Sequence, residues 1–303
     1  MWLHLVDGTY ELFRAHYSKR PSHTAPGGWD AKATVGVVTS LINMMWDPHE
    51  KVTHVGVAFD NPIVSFRNDL FDGYKTDAGI DPALRAQFDT VEEACAALGL
   101  TVWSMKEFEA DDALASAAWK FSTDPAVEQI RLMTPDKDMN QCLSWPKVVQ
   151  YDRMRQKLIT KDTCKADRGI EPESIPDYLA LIGDTADGIP GIDGWGEKSA
   201  AVVLAEYKHL EAIPRFPHDW KVKPRGADRL ADALDKNRDA ALLYKKLATL
   251  RTDAPVPQSL DELRYKGPSP QWAKWCEKVG AMDLLERPPK RLHSAAPAGV
   301  TPQ

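Results

Sequence analysis

Hydrophobic residues in the first half of the chain alternate between short apolar runs and longer stretches with helical spacing. Short runs bounded by Gly, Asp or Pro predict β-strands, whereas apolar residues that recur every three to four positions predict helices. Because strands that alternate with helices form βαβ units, we predict an α/β fold with a mostly parallel sheet and helices on both faces. The predicted strands are 2–6, 52–59, 100–103, 129–133 and 147–151, and the predicted helices are 32–46, 82–98 and 110–121.

Beyond about residue 155 the strand pattern fades, and the remaining periodic segments are helical. We therefore divide the chain into an α/β domain at 1–155 and a helical region at 156–286. Residues 287–303 contain four prolines and no apolar periodicity, which predicts a disordered tail. The first 14 residues predict a strand that runs into a turn. The helices predicted in the second half are 174–182, 197–207, 228–250 (one long helix or a pair) and 271–285.

Acidic residues follow the predicted strands. Ligands of open parallel sheets bind outside the carboxyl ends of the strands, so acids at successive strand ends should converge on one edge. Crowded carboxylates repel one another unless cations neutralise them. Oxygen ligands without nearby His or Cys select hard ions such as Mg²⁺ or Mn²⁺. The acids in question are Asp7, Asp60, Glu109, Asp111, Asp112, Asp136 and Asp138.

Each of these acids also has a local interpretation. Asp7 stands before a glycine, as turn residues often do, and acids at a helix start favour the N-terminal dipole. The pair after strand 129–133 is typical of a solvated turn or a helix N-cap. Asp184 and Asp187, further along, are typical of Asx turns. It is the joint placement of the acids at successive strand ends that favours metal binding.

A glycine-rich segment in the helical half carries a second signal. Residues 183–205 hold a turn with repeated glycines and the helix that follows it. Glycine lets the backbone approach a phosphate closely, and the N–H groups at a helix start favour an anion. The pattern is typical of a helix–hairpin–helix motif, which holds the DNA backbone irrespective of base sequence; a tight structural turn is the alternative. The contact residues that it predicts are Gly191, Gly194, Gly196, Lys198 and Ser199.

Composition and charge limit the classes of protein to which this chain can belong. The 303 residues are 43% hydrophobic and 27% charged, as in ordinary soluble domains, and no apolar run is long enough to span a membrane. Without a signal-peptide pattern or CxxC spacing of the four cysteines, we expect a cytoplasmic protein with cysteines in its core. The net charge of −6 conceals a basic segment, because residues 215–251 hold ten Lys or Arg and five Asp.

Five motifs follow one another along the chain and together resemble a known family. They are LVDGTYELFRA at 5–15; AFD at 58–60 with FR at 66–67 and YK at 74–75; FEADDALA at 108–115; TPDKDMNQ at 134–141; and GDTADGIPG at 183–191. Over residues 1–286 the chain resembles the 5′→3′ exonuclease and flap-endonuclease family, which includes small bacterial and phage nucleases and the N-terminal nuclease domain of DNA polymerase I. The resemblance implies a PIN-like sheet followed by a helix–hairpin–helix region.

The resemblance also implies residue roles. The acids would hold two Mg²⁺ ions, for which Mn²⁺ can substitute, and the hairpin carbonyls would hold a K⁺ ion. Arg14 and Lys75 would reach the scissile phosphate, Tyr74 would stack on a base, and Arg67 would contact phosphate or brace the site. The tighter metal group would be Asp7, Asp60, Glu109, Asp111 and Asp112, and the second group Asp136, Asp138, Asp184 and Asp187.

One segment departs from the family pattern. The family commonly has a basic residue three positions after the Lys of the YK pair, in an arch through which a single-stranded 5′ end passes. Here that position is Ala78, and the segment that ends at Pro82 is short. This difference puts the handling of flaps in question, but not hydrolysis itself.

The function implied is a divalent-metal-dependent 5′→3′ exonuclease and structure-specific 5′ flap endonuclease of replication and repair. Its partners would be DNA with 5′ ends, flaps or nicks, and a DNA polymerase or ligase; we expect a monomer that does not contact membranes. Two alternatives stay open. One is a catalytically silent structure-specific DNA-binding protein, and the other is a PIN-type ribonuclease, a class that is usually shorter and lacks the glycine hairpin.

Overall fold

The computed structural model describes residues 1–290, and its centre is a six-stranded sheet. The strands are β1 (Trp2–Asp7), β2 (Val52–Asp60), β3 (Thr101–Met105), β4 (Gln129–Met133), β5 (Val148–Asp152) and β6 (Lys157–Ile159). They lie in the order β3-β2-β1-β4-β5-β6; the first five run parallel to one another, and β6 pairs antiparallel with β5. The predicted mostly parallel α/β sheet is therefore confirmed.

Helices connect and follow the strands, together with short 3₁₀ turns at Asp138–Ser144, Pro172–Ser174, Leu210–Ala212, Pro217–Asp219 and Met282–Leu284. The helices before β6 are α1 (Gly8–Tyr17), α2 (Lys32–Trp46), α3 (Phe66–Leu70), α4 (Pro82–Arg85), α5 (Phe88–Ala97) and α6 (Ala110–Phe121). Those after β6 are α7 (Lys161–Arg168), α8 (Ile175–Ile182), α9 (Glu197–Tyr207), α10 (Ala227–Lys236), α11 (Arg238–Ala248), α12 (Leu260–Leu263) and α13 (Trp272–Val279).

The predicted turn after the first strand is wrong, because helix α1 begins at Gly8 directly after β1. Asp7 caps this helix: its carboxylate accepts a hydrogen bond from the backbone N–H of Tyr10 at 2.8 Å. A capping acid satisfies one of the free N–H groups of the first turn. Helix α2 has the predicted bounds, whereas the predicted helix 82–98 is divided into α4 and α5.

The two faces of the sheet bury separate groups of apolar side chains. One face packs against α1, α2 and α5, and the other packs against α6 and most of the helices that follow β6. The predicted helical region is not one unit, because its last helix, α13, returns to the first face and packs against α5. Residue 155, the predicted domain boundary, lies between β5 and β6, so the sheet continues past it to Ile159.

The sequence also led to expectations about the cysteines, about membrane-spanning segments and about the C-terminal tail. All four cysteines are free and buried. No helix within residues 1–290 is long and apolar enough to cross a membrane. Of the predicted tail 287–303, residues 291–303 lie outside the described residues, whereas Arg287 accepts a hydrogen bond on its carbonyl from the indole of Trp46.

Candidate active site

The order of the strands brings the first acids together. The chain runs from β1 outward to β2 and β3, and then returns to the other side of β1 as β4, so the connections diverge between β1 and β4. Such a switch point leaves a crevice at the carboxyl ends of the strands. Asp7 lies in this crevice, at the end of β1. The hydroxyl of Thr134, just after β4, donates a hydrogen bond to its Oδ2 at 2.9 Å.

Helix α6 brings its acids to the same edge. Asp60, at the end of β2, accepts the backbone N–H of Ala110 at 2.7 Å, which ties the start of α6 to the end of the strand. The carboxylate of Glu109 is buried and accepts the hydroxyl of Ser65 at 2.7 Å. Asp111 follows in the first turn of the helix. Acids from two segments that are about 50 positions apart in the sequence thus lie around one helix N-terminus.

The acids after β4 and those of the glycine-rich turn complete the group. The backbone N–H of Asp138 donates to Oδ1 of Asp136 at 2.9 Å, while Oδ1 of Asp138 itself is buried without a hydrogen-bond partner. The Asp184 carboxylate accepts the ammonium of Lys137 at 2.7 Å and the N–H of Ala186 at 2.8 Å. We call the acid cluster the set Asp7, Asp60, Glu109, Asp111, Asp136, Asp138, Asp184 and Asp187.

A lysine lies inside the acid cluster. The Lys75 ammonium is 2.9 Å from the Glu109 carboxylate and 3.0 Å from that of Asp187, and its backbone N–H donates to the Asp187 carbonyl. The glycine-rich turn approaches this segment very closely. A Cβ on Gly188 would lie 2.1 Å from the carbonyl oxygen of Gly73, so only glycine fits there. This contact brings Asp187 to the edge of the sheet.

Burial and mutual repulsion strongly shift the pKa values of the carboxyl groups in the acid cluster. Burial, aided by repulsion from Asp60 and Asp136, raises the pKa of Asp7 to about 7. Burial is also the largest cause that raises the pKa of Asp60 and Asp136, and raises the pKa of Asp111 and Asp138 well above the usual range. Burial of Glu109 acts in the same direction, but Lys75 and Arg67 outweigh it and lower its pKa.

These surroundings fit divalent cations. Within residues 1–290, no three His, Cys, Asp or Glu side chains already stand in positions that hold a metal ion between them. The donors are nevertheless all oxygen, one of them buried without a partner, and their negative charge is only partly balanced by Lys75 and Lys137. An oxygen-rich, charge-crowded edge of this kind suits Mg²⁺ or Mn²⁺.

Asp112 is separate from the acid cluster, and the prediction that it binds metal is contradicted. Its two oxygens accept a bidentate pair of hydrogen bonds from Arg67 at 2.7 and 2.8 Å. They also accept the backbone N–H groups of Glu109 at 3.0 Å and Arg251 at 2.9 Å. The residue is fully buried. A carboxylate with four donors at hydrogen-bond distance has no free lone pair to offer an ion.

A network centred on Asp112 ties the acid cluster to the end of α11. Arg67 also donates to the carbonyls of Leu247 and Thr249. Gln141 donates to the carbonyls of Asp138 and Ala248 and accepts the N–H of Leu250. We call this the clasp, formed by Arg67, Asp112, Gln141 and the backbone of residues 247–251. Gln141 was missed as a site residue because two of its three partners, Ala248 and Leu250, lie more than 100 positions away in the sequence. Its place in the motif 134–141 was the only signal.

The glycine-rich turn has the backbone that its sequence predicts. Gly191 and Gly194 have φ angles of 74° and 79°, a region that L side chains rarely adopt. The hydroxyl of Ser199 accepts the N–H of Gly196 at 3.0 Å at the start of α9, while Lys198 beside it is exposed. The turn therefore presents backbone N–H groups, a helix N-terminus and a cation to solvent, as contact with phosphate requires.

Family models match almost all of the described chain. Residues 2–169 match the 5′-3′ exonuclease N-terminal resolvase-like domain, and residues 170–271 match the 5′-3′ exonuclease C-terminal SAM fold. The chain belongs to the 5′-3′ exonuclease family. This family membership confirms the resemblance inferred from the five motifs.

Relatives in this family differ in length. A 5′-3′ exonuclease of Aquifex aeolicus is 31% identical over 267 residues, which cover 88% of this chain and 87% of that protein. DNA polymerase I of Rhizobium leguminosarum is 34% identical over 271 residues, which cover 86% of this chain and 26% of the polymerase. The chain thus spans about a quarter of the length of this polymerase relative and most of the length of the Aquifex protein.

A solved structure shares the fold. The bacteriophage T5 D15 flap endonuclease, in a pseudo-enzyme–product complex with DNA and metal ions, superposes with a TM-score of 0.62 at 17% identity. The superposition covers 95% of this chain and 96% of that one. At this level of identity the likeness establishes that the sheet and the helical region have the arrangement of that enzyme.

Two further residue roles expected for this family do not fit the structure. Tyr74, expected to stack on a base, is only 3% exposed, and its hydroxyl donates to Glu109 and Asp187 at 3.3 Å each. Arg14, expected at the scissile phosphate, pairs instead with the buried Glu11 and with Ser40. Both side chains are held by local partners that were not apparent from the spacing of the motifs. Arg67 braces the site, the second of the two roles expected for it.

Proposed function

We propose that this chain hydrolyses phosphodiester bonds of DNA near 5′ ends, as a divalent-metal-dependent 5′→3′ exonuclease and 5′ flap endonuclease. The observation that carries the proposal is the acid cluster itself. Carboxylates from five separate segments meet at one sheet edge, and the last of these segments is the glycine-rich turn, which exposes phosphate-binding groups. Burial, together with repulsion within the cluster, raises several carboxyl pKa values, and bound cations would relieve the repulsion.

The eight acids of the cluster divide into two groups. Asp7, Asp60, Glu109 and Asp111 would hold one divalent cation, and Asp136, Asp138, Asp184 and Asp187 would hold the second. When bound, such ions lower the pKa of an attacking water and stabilise charge on the phosphate and the leaving oxygen. We propose Mg²⁺ as the ion that is used, with Mn²⁺ as a substitute.

Lys75 would stabilise the reacting phosphate. Its ammonium already lies between Glu109 and Asp187, so it stands where negative charge collects during in-line displacement. The buried Tyr74 beside it shapes the site through its hydrogen bonds to the same two acids. Lys75 is thus the catalytic residue of this proposal, whereas Tyr74 is a positioning residue.

The glycine-rich turn would hold the duplex, with Lys198 at a backbone phosphate and K⁺ on the turn carbonyls. A role in replication and repair, as a monomer that works with a DNA polymerase or ligase, is consistent with the polymerase I relatives that carry a homologous segment. How well a single-stranded flap reaches the acid cluster would depend on the short segment around Ala78. Product lengths from a flap substrate would report on this directly.

The test is a cleavage assay on a duplex with a 5′-labelled single-stranded flap, with Mg²⁺ or with EDTA. Wild type should release short labelled products only with the metal, and Asp111→Asn should lower the rate about a thousandfold, because one metal ligand loses its charge. Asp162→Asn, which removes the same charge from an exposed position on α7, is the matched control and should cleave normally. Retained DNA binding without cleavage in either Mg²⁺ or Mn²⁺ would favour the silent DNA-binding protein instead.

A further inference from the structure

An exposed pair of aromatic rings lies in the loop between α9 and α10. The rings of Phe216 and His218 stack with centroids 5.5 Å apart and planes 13° from parallel. Phe216 is 61% exposed, and the side chain of His218 is 76% exposed. A stacked pair of rings that faces solvent offers a flat surface on which another aromatic ring can stack.

The loop holds these rings in a fixed position. Phe216 directly precedes a 3₁₀ turn at Pro217–Asp219 and His218 lies within it, and the backbone N–H of Asp219 donates to the carbonyl of Phe216. The indole N–H of Trp220 donates to the carbonyl of Pro214 at 2.8 Å and closes the loop. Trp220 itself is buried. The aromatic surface is therefore organised before any ligand arrives, which lowers the entropy that binding loses.

The loop also carries positive charge and lies beside the glycine-rich turn. Residues 214–226 contain Arg215, Lys221, Lys223 and Arg225, against one acid, Asp219. Trp220 packs against Trp195 of the turn, with ring centroids 6.2 Å apart. The loop is thus attached to the segment that we propose as the DNA contact.

We infer that this loop, which we call the aromatic platform (residues 214–226), binds unpaired nucleotides of the DNA substrate, with a base stacked on Phe216. The inference rests on the proposed function, since it names which part of the same substrate the loop holds. Unpaired bases offer open ring faces, whereas the bases of a duplex are covered by their neighbours. An exposed aromatic ring among cations is the usual arrangement for single-stranded nucleic acid, because stacking and backbone attraction add together.

Binding of DNA to the full chain in EDTA tests the platform without cleavage. Three labelled duplexes of one sequence would be compared by fluorescence anisotropy at low salt: one blunt, one with a 5′ single-stranded arm and one with a 3′ arm. Wild type should bind at least one armed duplex more tightly than the blunt one. Phe216→Ala should remove that preference, with a loss of about five- to a hundredfold in affinity for that duplex. Phe216→Trp should retain it.

The control variant is Trp119→Ala, which removes another exposed aromatic ring near the far end of α6 and should leave all three affinities unchanged. Lys223→Ala with Arg225→Ala should reduce the salt slope for the armed duplex by about 1.4, since each phosphate contact on a single strand contributes about 0.7. Equal binding of all three duplexes by wild type, or an unchanged preference in Phe216→Ala, would overturn the platform. Cleavage of the flap substrate by wild type is measured separately. A negative binding result would therefore contradict the aromatic platform without contradicting the proposed nuclease activity.

Discussion

The acid cluster and the clasp are neighbouring groups of buried charge that differ in whether their carboxylate oxygens are occupied by hydrogen bonds. In the clasp, Asp112 receives four hydrogen bonds. In the cluster, Oδ1 of Asp138 is buried without any, and the pKa of Asp111 is raised well above its usual range by burial, Asp136 and Asp7. A buried carboxylate thus has a structural role when its lone pairs all accept hydrogen bonds, and it can bind an ion only when they do not.

The largest effect on stability should come from opening the clasp. Asp112→Asn should destabilise the protein by about 3–5 kcal/mol, because the buried Arg67 guanidinium loses its bidentate carboxylate partner. Of the described residues, only Glu109, 3.3 Å away, then remains to balance its charge. Urea unfolding followed by circular dichroism measures this loss. The double variant Arg67→Met with Asp112→Leu should be less destabilised than Asp112→Asn, since it removes both charges. If Asp112→Asn unfolds like wild type, the clasp is not a structural element.

The contribution of the acid cluster to folding stability should change with pH in the direction opposite to that of ordinary salt-bridged acids. Because folding raises the carboxyl pKa values, with Asp7 at about 7, the folded protein binds more protons than the unfolded chain between pH 4 and 7. Stability in EDTA should therefore be greatest at the acid end of this window and fall by a few kcal/mol as the pH rises through 7.

Mg²⁺ should raise the melting temperature at pH 8, where the carboxylates are ionised, and have little effect at pH 5. Differential scanning calorimetry at the two pH values, with Mg²⁺ and with EDTA, measures both effects. Asp111→Asn should weaken the dependence on pH, since it removes one of the repelling groups. Stability in EDTA that rises toward pH 7 would contradict the assignment of the cluster.

A smaller effect should follow from loss of the Gln141 amide. Gln141→Leu should destabilise the protein by about 1–3 kcal/mol, because the backbone groups of Ala248 and Leu250 lose their partners. Its kcat should fall more than its affinity for DNA, since Gln141 also holds the backbone of Asp138. Gln258→Leu, at an exposed glutamine, is the control. Equal changes in kcat and in DNA affinity would argue against a positioning role.

Much of the framework could be predicted from local sequence. The apolar periodicity located α2, α6 and α9 at their observed bounds, and the acids after successive strands indicated a shared edge. Helix α1 was missed because it follows β1 without an intervening loop, and because its capping residue, Asp7, resembles a turn residue before Gly8. The helix predicted at 271–285 was correctly helical over Trp272–Val279, but its return to α5 depends on packing that no local pattern encodes.

The alternation of strands and helices, the family and the set of candidate acids could all be predicted from the sequence, because they depend on neighbouring residues and short motifs. Tertiary packing was needed to show that Asp111 joins the cluster while Asp112 closes the clasp. It likewise decided that Arg14 pairs with Glu11 and that Tyr74 is buried. These outcomes depend on partners such as Arg67 and the backbone of Arg251, which are distant in the chain and meet these side chains only when the sheet and the helices pack together.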